Sequence, residues 1–293
     1  MYATIGPDQL GIRGLSLSDA IALARDAGFA GLSFDSRAAA RAVDERGLAA
    51  VQDQFAEAGV RPAHWSFPVA WRDDDQWEAD LRELPRLAAT ARALGATRTA
   101  TYMPSGSDER PFQENFDWHV ARLRPIAEVL RDEGCRFGIE FIGPRTYRAA
   151  FRHEFIHTLD GVMELVAAIG TGNVGVMLDS WHLYTSGGTV ADLEPLTNHD
   201  VVVVHVNDAP AGIARDEQID TVRTLPVETG VIDLVGFMRA LREMEYDGPV
   251  MPEPFSQRIN DLAATDPEAA AREAARSIDA LWQAAGLEVM GDG

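Results

Sequence analysis

The chain has 293 residues, with 46 acidic against 26 basic side chains, a net charge of −20 and 46% hydrophobic residues. That mixture suits a globular unit of one or two domains, and its acidic surface argues against a general nucleic-acid binder because phosphate backbones are repelled. All 26 basic residues are arginine, which excludes the Schiff-base aldolases, pyridoxal-phosphate enzymes and Walker-type ATPases that need a lysine amine.

Tyr2–Ile5 reads as a first strand. A helix over Ser18–Ala27 follows, with Ser18 placed to cap it. Next come a strand at Gly31–Phe34, a helix over Asp44–Ala58 and a strand at Val60–His64. Asp75–Leu94 carries apolar residues at three- and four-residue spacing and predicts a helix. The strand Arg98–Tyr102, the helix Glu114–Glu133 and the strand Arg136–Phe141 continue the alternation. The single cysteine, Cys135, stands just before that strand and excludes an internal disulfide and any Cys-rich zinc site. A helix over Leu159–Ile169, strands at Val174–Leu178 and Val201–Val206, a helix over Asp233–Met244 and a strand at Val250–Glu253 complete the pattern. The helix Pro267–Ala285 closes the domain, and Gly286–Gly293 is expected to be a flexible tail. Glycines at 28, 59, 95, 134 and 170 stop five of these helices.

Eight strands alternating with helices predict an α/β fold, a single (β/α)₈ TIM-type barrel over residues 1–285, with a doubly wound sheet as the alternative. Consecutive apolar residues at Val201–Val204 fit parallel strands covered on both faces. No run of 18 apolar residues occurs, so no membrane span is expected. Met1–Gly14 lacks the basic and apolar regions of a signal peptide, so a cytoplasmic location is expected. Gly170-Thr171-Gly172-Asn173-Val174-Gly175 spells GxGxxG, but it follows a helix and opens a strand, the reverse of the dinucleotide fingerprint. It reads as a helix stop and a turn.

The chemistry lies at four strand ends. Glu140, Asp179, His205 and Glu253 each stand at the end of an apolar run. In an α/β barrel such ends line one face, where active sites form. Three converging carboxylates repel one another at low dielectric, and a divalent cation resolves this. Three oxygen donors and one imidazole nitrogen suit Mn²⁺, Mg²⁺ or Co²⁺ better than a structural zinc ion. His64, Trp65 and Tyr102 also lie near strand ends; the two aromatic rings could stack on a sugar face or pack the barrel mouth.

The segments Gly138-Ile139-Glu140-Phe141, Leu178-Asp179-Ser180-Trp181-His182, His205-Val206-Asn207-Asp208 and Pro252-Glu253-Pro254-Phe255 resemble the xylose isomerase-like TIM-barrel superfamily, in its sugar phosphate isomerase/epimerase branch with the inosose isomerases, inosose dehydratases and ketose 3-epimerases. The resemblance covers residues 28–280. It implies one metal ion, Mn²⁺ first, held by Glu140, Asp179, His205 and Glu253, with His182 near the substrate. It also implies a substrate-binding arginine. Arg215 and Arg223 are the candidates, and Arg223-Thr224-Leu225-Pro226 is similar to the family's Arg-x-Leu-Pro-Gly-Glu-Gly stretch. This chain departs from it with Val227 and Thr229 around Glu228.

The implied reaction is proton transfer beside a carbonyl through a metal-stabilised enediolate, with Glu140 and Glu253 as base and acid. An isomerase or epimerase acting on a sugar, keto-sugar or inosose is the first reading. A metal-dependent lyase or dehydratase on a keto-sugar, inosose or 3-keto-glycoside is the alternative. The superfamily's apurinic endonucleases share Asp-x-x-His, but they assemble three metals with more histidines than the seven present here. A non-catalytic sugar-binding barrel is the remaining reading. The expected partner is a small-molecule sugar, with no nucleic acid and no membrane, and a homo-oligomer is possible.

Overall fold

The computed structural model describes residues 1–287. Eight parallel strands close into a barrel, each hydrogen-bonded to its neighbours in sequence order. They are β1 (Tyr2–Ile5), β2 (Gly31–Phe34), β3 (Arg61–Ser66), β4 (Arg98–Met103), β5 (Arg136–Phe141), β6 (Val174–Asp179), β7 (Val201–Val206) and β8 (Pro249–Pro252). Every one overlaps its expected segment. The fold is therefore the (β/α)₈ barrel, and the doubly wound alternative is set aside. β6, β7 and β8 are buried along their whole length, because the barrel interior covers one face and helices cover the other.

The helices are α1 (Leu17–Ala27), α2 (Ser36–Arg46), α3 (Leu48–Ala58), α4 (Trp77–Leu94), α5 (Phe112–Asp132), the single turn α6 (Arg145–Arg148), α7 (Leu159–Ile169), α8 (Ser180–Thr185), α9 (Leu234–Glu243), α10 (Gln257–Thr265) and α11 (Pro267–Ala285). Helices α6, α8 and α10, and α2 before Asp44, were not among the expected elements, and three further details differ from the sequence reading. The α1 cap is Ser16, whose side chain accepts from the Asp19 N–H, so the helix begins before Ser18. The single helix expected over Asp44–Ala58 is two, because Gly47 adopts φ 87°, ψ 151° between them, a conformation open to glycine alone. Gly286 and Leu287 are not tail: the Gly286 and Leu287 N–H groups donate to carbonyls of α11, and Leu287 packs on the core. The remainder of the expected tail, 288–293, lies outside the described residues. A two-residue antiparallel ribbon, Gly106–Ser107 with His153–Glu154, ties the loops after β4 and β5. Gly170 closes α7 and Gly175 lies inside β6, as the reading of GxGxxG as a stop and turn requires.

No helix among the described residues is long and apolar enough to cross a membrane.

Candidate active site

Glu140 on β5, Asp179 ending β6, His205 on β7 and Glu253 just past β8 meet at the C-terminal mouth of the barrel. One ligand-competent atom from each lies within 4.8 Å of the others, and all four residues are buried. The barrel dictates this meeting. Asp179 and His205 are register partners on adjacent strands, and the Glu253 N–H continues the β8 ladder to the Val206 carbonyl at 3.2 Å.

Each member has a different surrounding. Asp179 caps α8: its Oδ1 accepts from the Trp181 N–H at 2.7 Å and from Asn207 Nδ2 at 3.2 Å. Its Oδ2 accepts from Arg223 Nη1 at 2.8 Å, and Glu253 Oε2 accepts from the same nitrogen at 3.0 Å. Glu140 Oε1 and both ring nitrogens of His205 have no hydrogen-bond partner among the described residues. His205 Nδ1 stands 3.3 Å from Glu253 Oε2 and 3.8 Å from Glu140 Oε1.

The electrostatics follow from burial and crowding. Burial, then the charges of Glu253 and Asp179, push the Glu140 carboxyl well above the usual carboxylate range. Burial works against ionisation of Glu253 as well, but His205 and Arg223 beside it outweigh this and hold it below its ordinary value. For His205, burial favours the neutral ring and the neighbouring Glu253 outweighs it, raising the pKa. Burial lowers His182 to about 3, so that ring is neutral.

This donor set fits a divalent cation. Orphaned oxygen and imidazole atoms face one point, and the single Arg223 guanidinium cannot offset three carboxylates. Buried polar atoms without partners are costly unless something else satisfies them.

Around the cluster, Arg223 is buried, and all of its side-chain nitrogens make contacts within the protein. Nε donates to the Asp220 carbonyl and Nη2 to Asp220 Oδ1, each at 2.8 Å. The guanidinium stacks on the Phe255 ring at 4.7 Å. His182 Nε2 lies 3.3 Å from Arg223 Nη2 and 3.9 Å from Glu140 Oε1. Arg215, the other candidate, is exposed and pairs with Asp216, away from the cluster. Val227, the departure, adopts a positive φ of 58°, a left-handed conformation that a β-branched residue rarely takes. Asp208 holds this loop, accepting from the backbone N–H groups of Ala209, Thr229, Gly230 and Ile232.

A cavity of about 370 Å³ opens on the cluster, lined by His64, Ser66, Phe67, Tyr102, Glu140, Met177, His205 and Glu253 among others. Past Asp8, Ser33 and Asp35 it continues into a second cavity of about 350 Å³. His64 is buried with Nε2 3.3 Å from Ser33 Oγ. Burial, with His205 nearby, lowers its pKa to about 3. Tyr102 is 42% exposed at the rim, where Arg72 Nη2 donates to its hydroxyl at 2.7 Å. Trp65 corrects the sequence reading. Strand alternation turns it away from His64 and Ser66, its side chain is fully buried in the hydrophobic core, and no face is left for a sugar. Sequence reasoning missed Asp220, Asn207 and Gly143; only Asp220, three residues before Arg223, had a spacing that could have marked it.

Fold and site together define an α/β-barrel protein with a buried carboxylate–histidine centre at its C-terminal mouth. The sequence profile of the Xylose isomerase-like TIM barrel family matches residues 21–281, and the chain belongs to that family. An inosose isomerase of Bacillus velezensis is 22% identical over 240 residues, covering 80% of this chain and 81% of that protein. A xylose isomerase domain protein from Alicyclobacillus acidocaldarius superposes with a TM-score of 0.85 at 29% identity, covering 98% of this chain and 99% of that one. The IOLI protein, solved with a bound zinc atom, superposes with a TM-score of 0.76 at 18% identity, covering 97% and 99%.

Proposed function

We propose that this protein is a divalent-metal-dependent isomerase or epimerase of a keto-sugar or inosose. The observation that carries the reading is the convergence of Glu140, Asp179, His205 and Glu253 on one point, beside a cavity of small-molecule size. The inosose isomerase relative supports the substrate class.

Those four residues would hold the metal, Mn²⁺ first with Mg²⁺ or Co²⁺ as alternatives. A bound divalent cation supplies Lewis-acid polarisation of a carbonyl and its neighbouring hydroxyl. The chain's own residues do the rest. Glu140 and Glu253 face the cavity from β5 and from the end of β8, and serve as base and acid for the carbon-bound proton. The free Oε1 of Glu140 has no competing donor. His182 and Arg223, packed behind the cluster, would bind substrate oxygens, while His64 and Tyr102 line the cavity itself. Return of the proton to the other face gives an epimer, and return to the neighbouring carbon gives an isomer.

The test is a panel of inososes and ketoses incubated with the Mn²⁺-loaded protein in D₂O. Deuterium entering the carbon beside the carbonyl, with product formed and no water lost, supports the reading. Loss of water marks a dehydratase instead. A panel without exchange or product overturns it.

A further inference from the structure

We propose that Gly143 is a positioning residue whose backbone N–H fixes His182 as the Nε2–H tautomer and turns that N–H toward the carboxylate cluster. Its functional consequence rests on the reading of His182 as a substrate-binding residue; the tautomer itself does not.

Gly143 lies in the loop just past β5, three residues after Glu140. Its N–H donates to His182 Nδ1 at 3.2 Å, with both groups buried. A backbone N–H can only donate, so Nδ1 carries a lone pair and the proton of the neutral ring sits on Nε2. That nitrogen points toward the cluster, 3.8 Å from Asp220 Oδ1 and 3.9 Å from Glu140 Oε1.

Arg223 Nη2 stands 3.3 Å from His182 Nε2. An arginine nitrogen has no lone pair to accept with, so in this tautomer two donors stand side by side. A single substrate oxygen set to one side, within hydrogen-bond reach of both nitrogens, would accept from both, the arrangement that stabilises developing negative charge. The opposite tautomer would pair Nε2 with Arg223 and close off the space. It would also strand the Gly143 N–H in a buried position, at the cost of an unmade hydrogen bond.

Only glycine fits. A β-carbon at 143 would lie 2.2 Å from the His182 carbonyl oxygen and 2.7 Å from Thr185 Oγ1. Neither can retreat easily: the carbonyl is α8 backbone, and Thr185 Oγ1 is bonded to the Trp181 carbonyl at 2.7 Å. From the other side, Arg148 Nη1 donates to the Gly143 carbonyl at 2.8 Å and holds the loop against α8.

The experiment is ¹⁵N NMR of histidine-labelled protein, loaded with diamagnetic Mg²⁺, with His182→Gln used only to assign the resonances. The expected result is an unprotonated Nδ1 and a protonated Nε2 on His182, and loss of that pure state in Gly143→Ala. The same variant should lower kcat about tenfold, the scale of one lost hydrogen bond, with Mg²⁺ affinity unchanged. A protonated Nδ1 in the wild type overturns the proposal, as does a Gly143→Ala protein with wild-type tautomer and turnover. Should that variant fail to fold, the wild-type spectrum decides alone. Because the spectrum needs no substrate, failure of the sugar reading and failure of this proposal are told apart.

Discussion

Asp179 and His205 stand opposite each other in register on β6 and β7, although 26 positions separate them in the chain. Asp179 also caps α8, which carries His182, and pairs with Arg223. One carboxylate thereby links the candidate metal ligands to both candidate substrate-binding side chains.

Asp179→Asn keeps a side-chain oxygen for the Trp181 N–H but removes the charge facing Arg223. We expect Mn²⁺ affinity to fall at least about 100-fold, since losing a ligand exceeds the effect of losing its supporting hydrogen bond. The metal-free chain should lose about 2 kcal/mol, because a buried cation loses part of its compensation. Isothermal titration and urea unfolding measure the two.

Glu140→Gln should behave in the opposite sense on stability. The Glu140 carboxyl titrates well above its ordinary value of 4.5, first through burial and then through repulsion from Glu253 and Asp179. A raised carboxyl pKa contributes stability below the unfolded value, and this is lost as pH rises through the folded one. Glutamine removes that penalty. The metal-free variant should gain about 1 kcal/mol near pH 7 while Mn²⁺ binding collapses. A variant less stable than wild type at pH 7, measured without metal, would count against the crowded-carboxylate account.

Asp208→Ala tests the loop that delivers Arg223. The buried Asp208 carboxylate accepts four backbone N–H groups. Its loss should cost about 3 kcal/mol by denaturant unfolding. Turnover should fall with little change in metal content, because Asp208 is not among the clustered ligand residues.

The pH dependence of folding should carry a signature of His119. This ring is buried between Trp71, Trp118 and Phe155. Burial lowers its pKa to about 4, outweighing the Asn115 carbonyl beside Nδ1, with Arg110 and Arg72 adding to the shift. The unfolded chain takes up the proton near its ordinary pKa of 6.5 and the folded chain does not until about 4. Stability from this group is therefore complete above about pH 6.5 and lost as pH falls toward 4. His119→Phe should flatten the decline by at most about 3 kcal/mol. Urea midpoints across pH 7 to 4.5 read it; an unchanged slope would show that His119 does not contribute.

Strands β5 to β8 and the four clustered residues were legible in the sequence for one reason. A buried parallel strand reads as an apolar run, and a polar residue at its C-terminal end stands out. Where that contrast is missing, the reading fails. Helix α2 was invisible because Ser36–Arg46 is rich in alanine and arginine, and the residues it buries, Ser36, Ala39 and Ala40, include no large apolar side chain to mark a stripe. Gly47 was read through, because one glycine within a helical pattern gives no sign of the backbone break it makes. Trp65 was placed at the mouth because proximity to a strand end says nothing about which face a residue takes. Gly143 acts through a backbone N–H, which no spacing rule marks; Asp220 stands three residues before Arg223, a spacing that was there to be read but was not used.

The most direct test of the central claim is the metal content of purified protein after incubation with Mn²⁺ and desalting, measured beside a His205→Ala, Glu253→Gln double variant. The account predicts about one equivalent of Mn²⁺ per chain in the wild type and none in the variant. Wild-type protein without metal, or a variant that retains the wild-type amount, would contradict it.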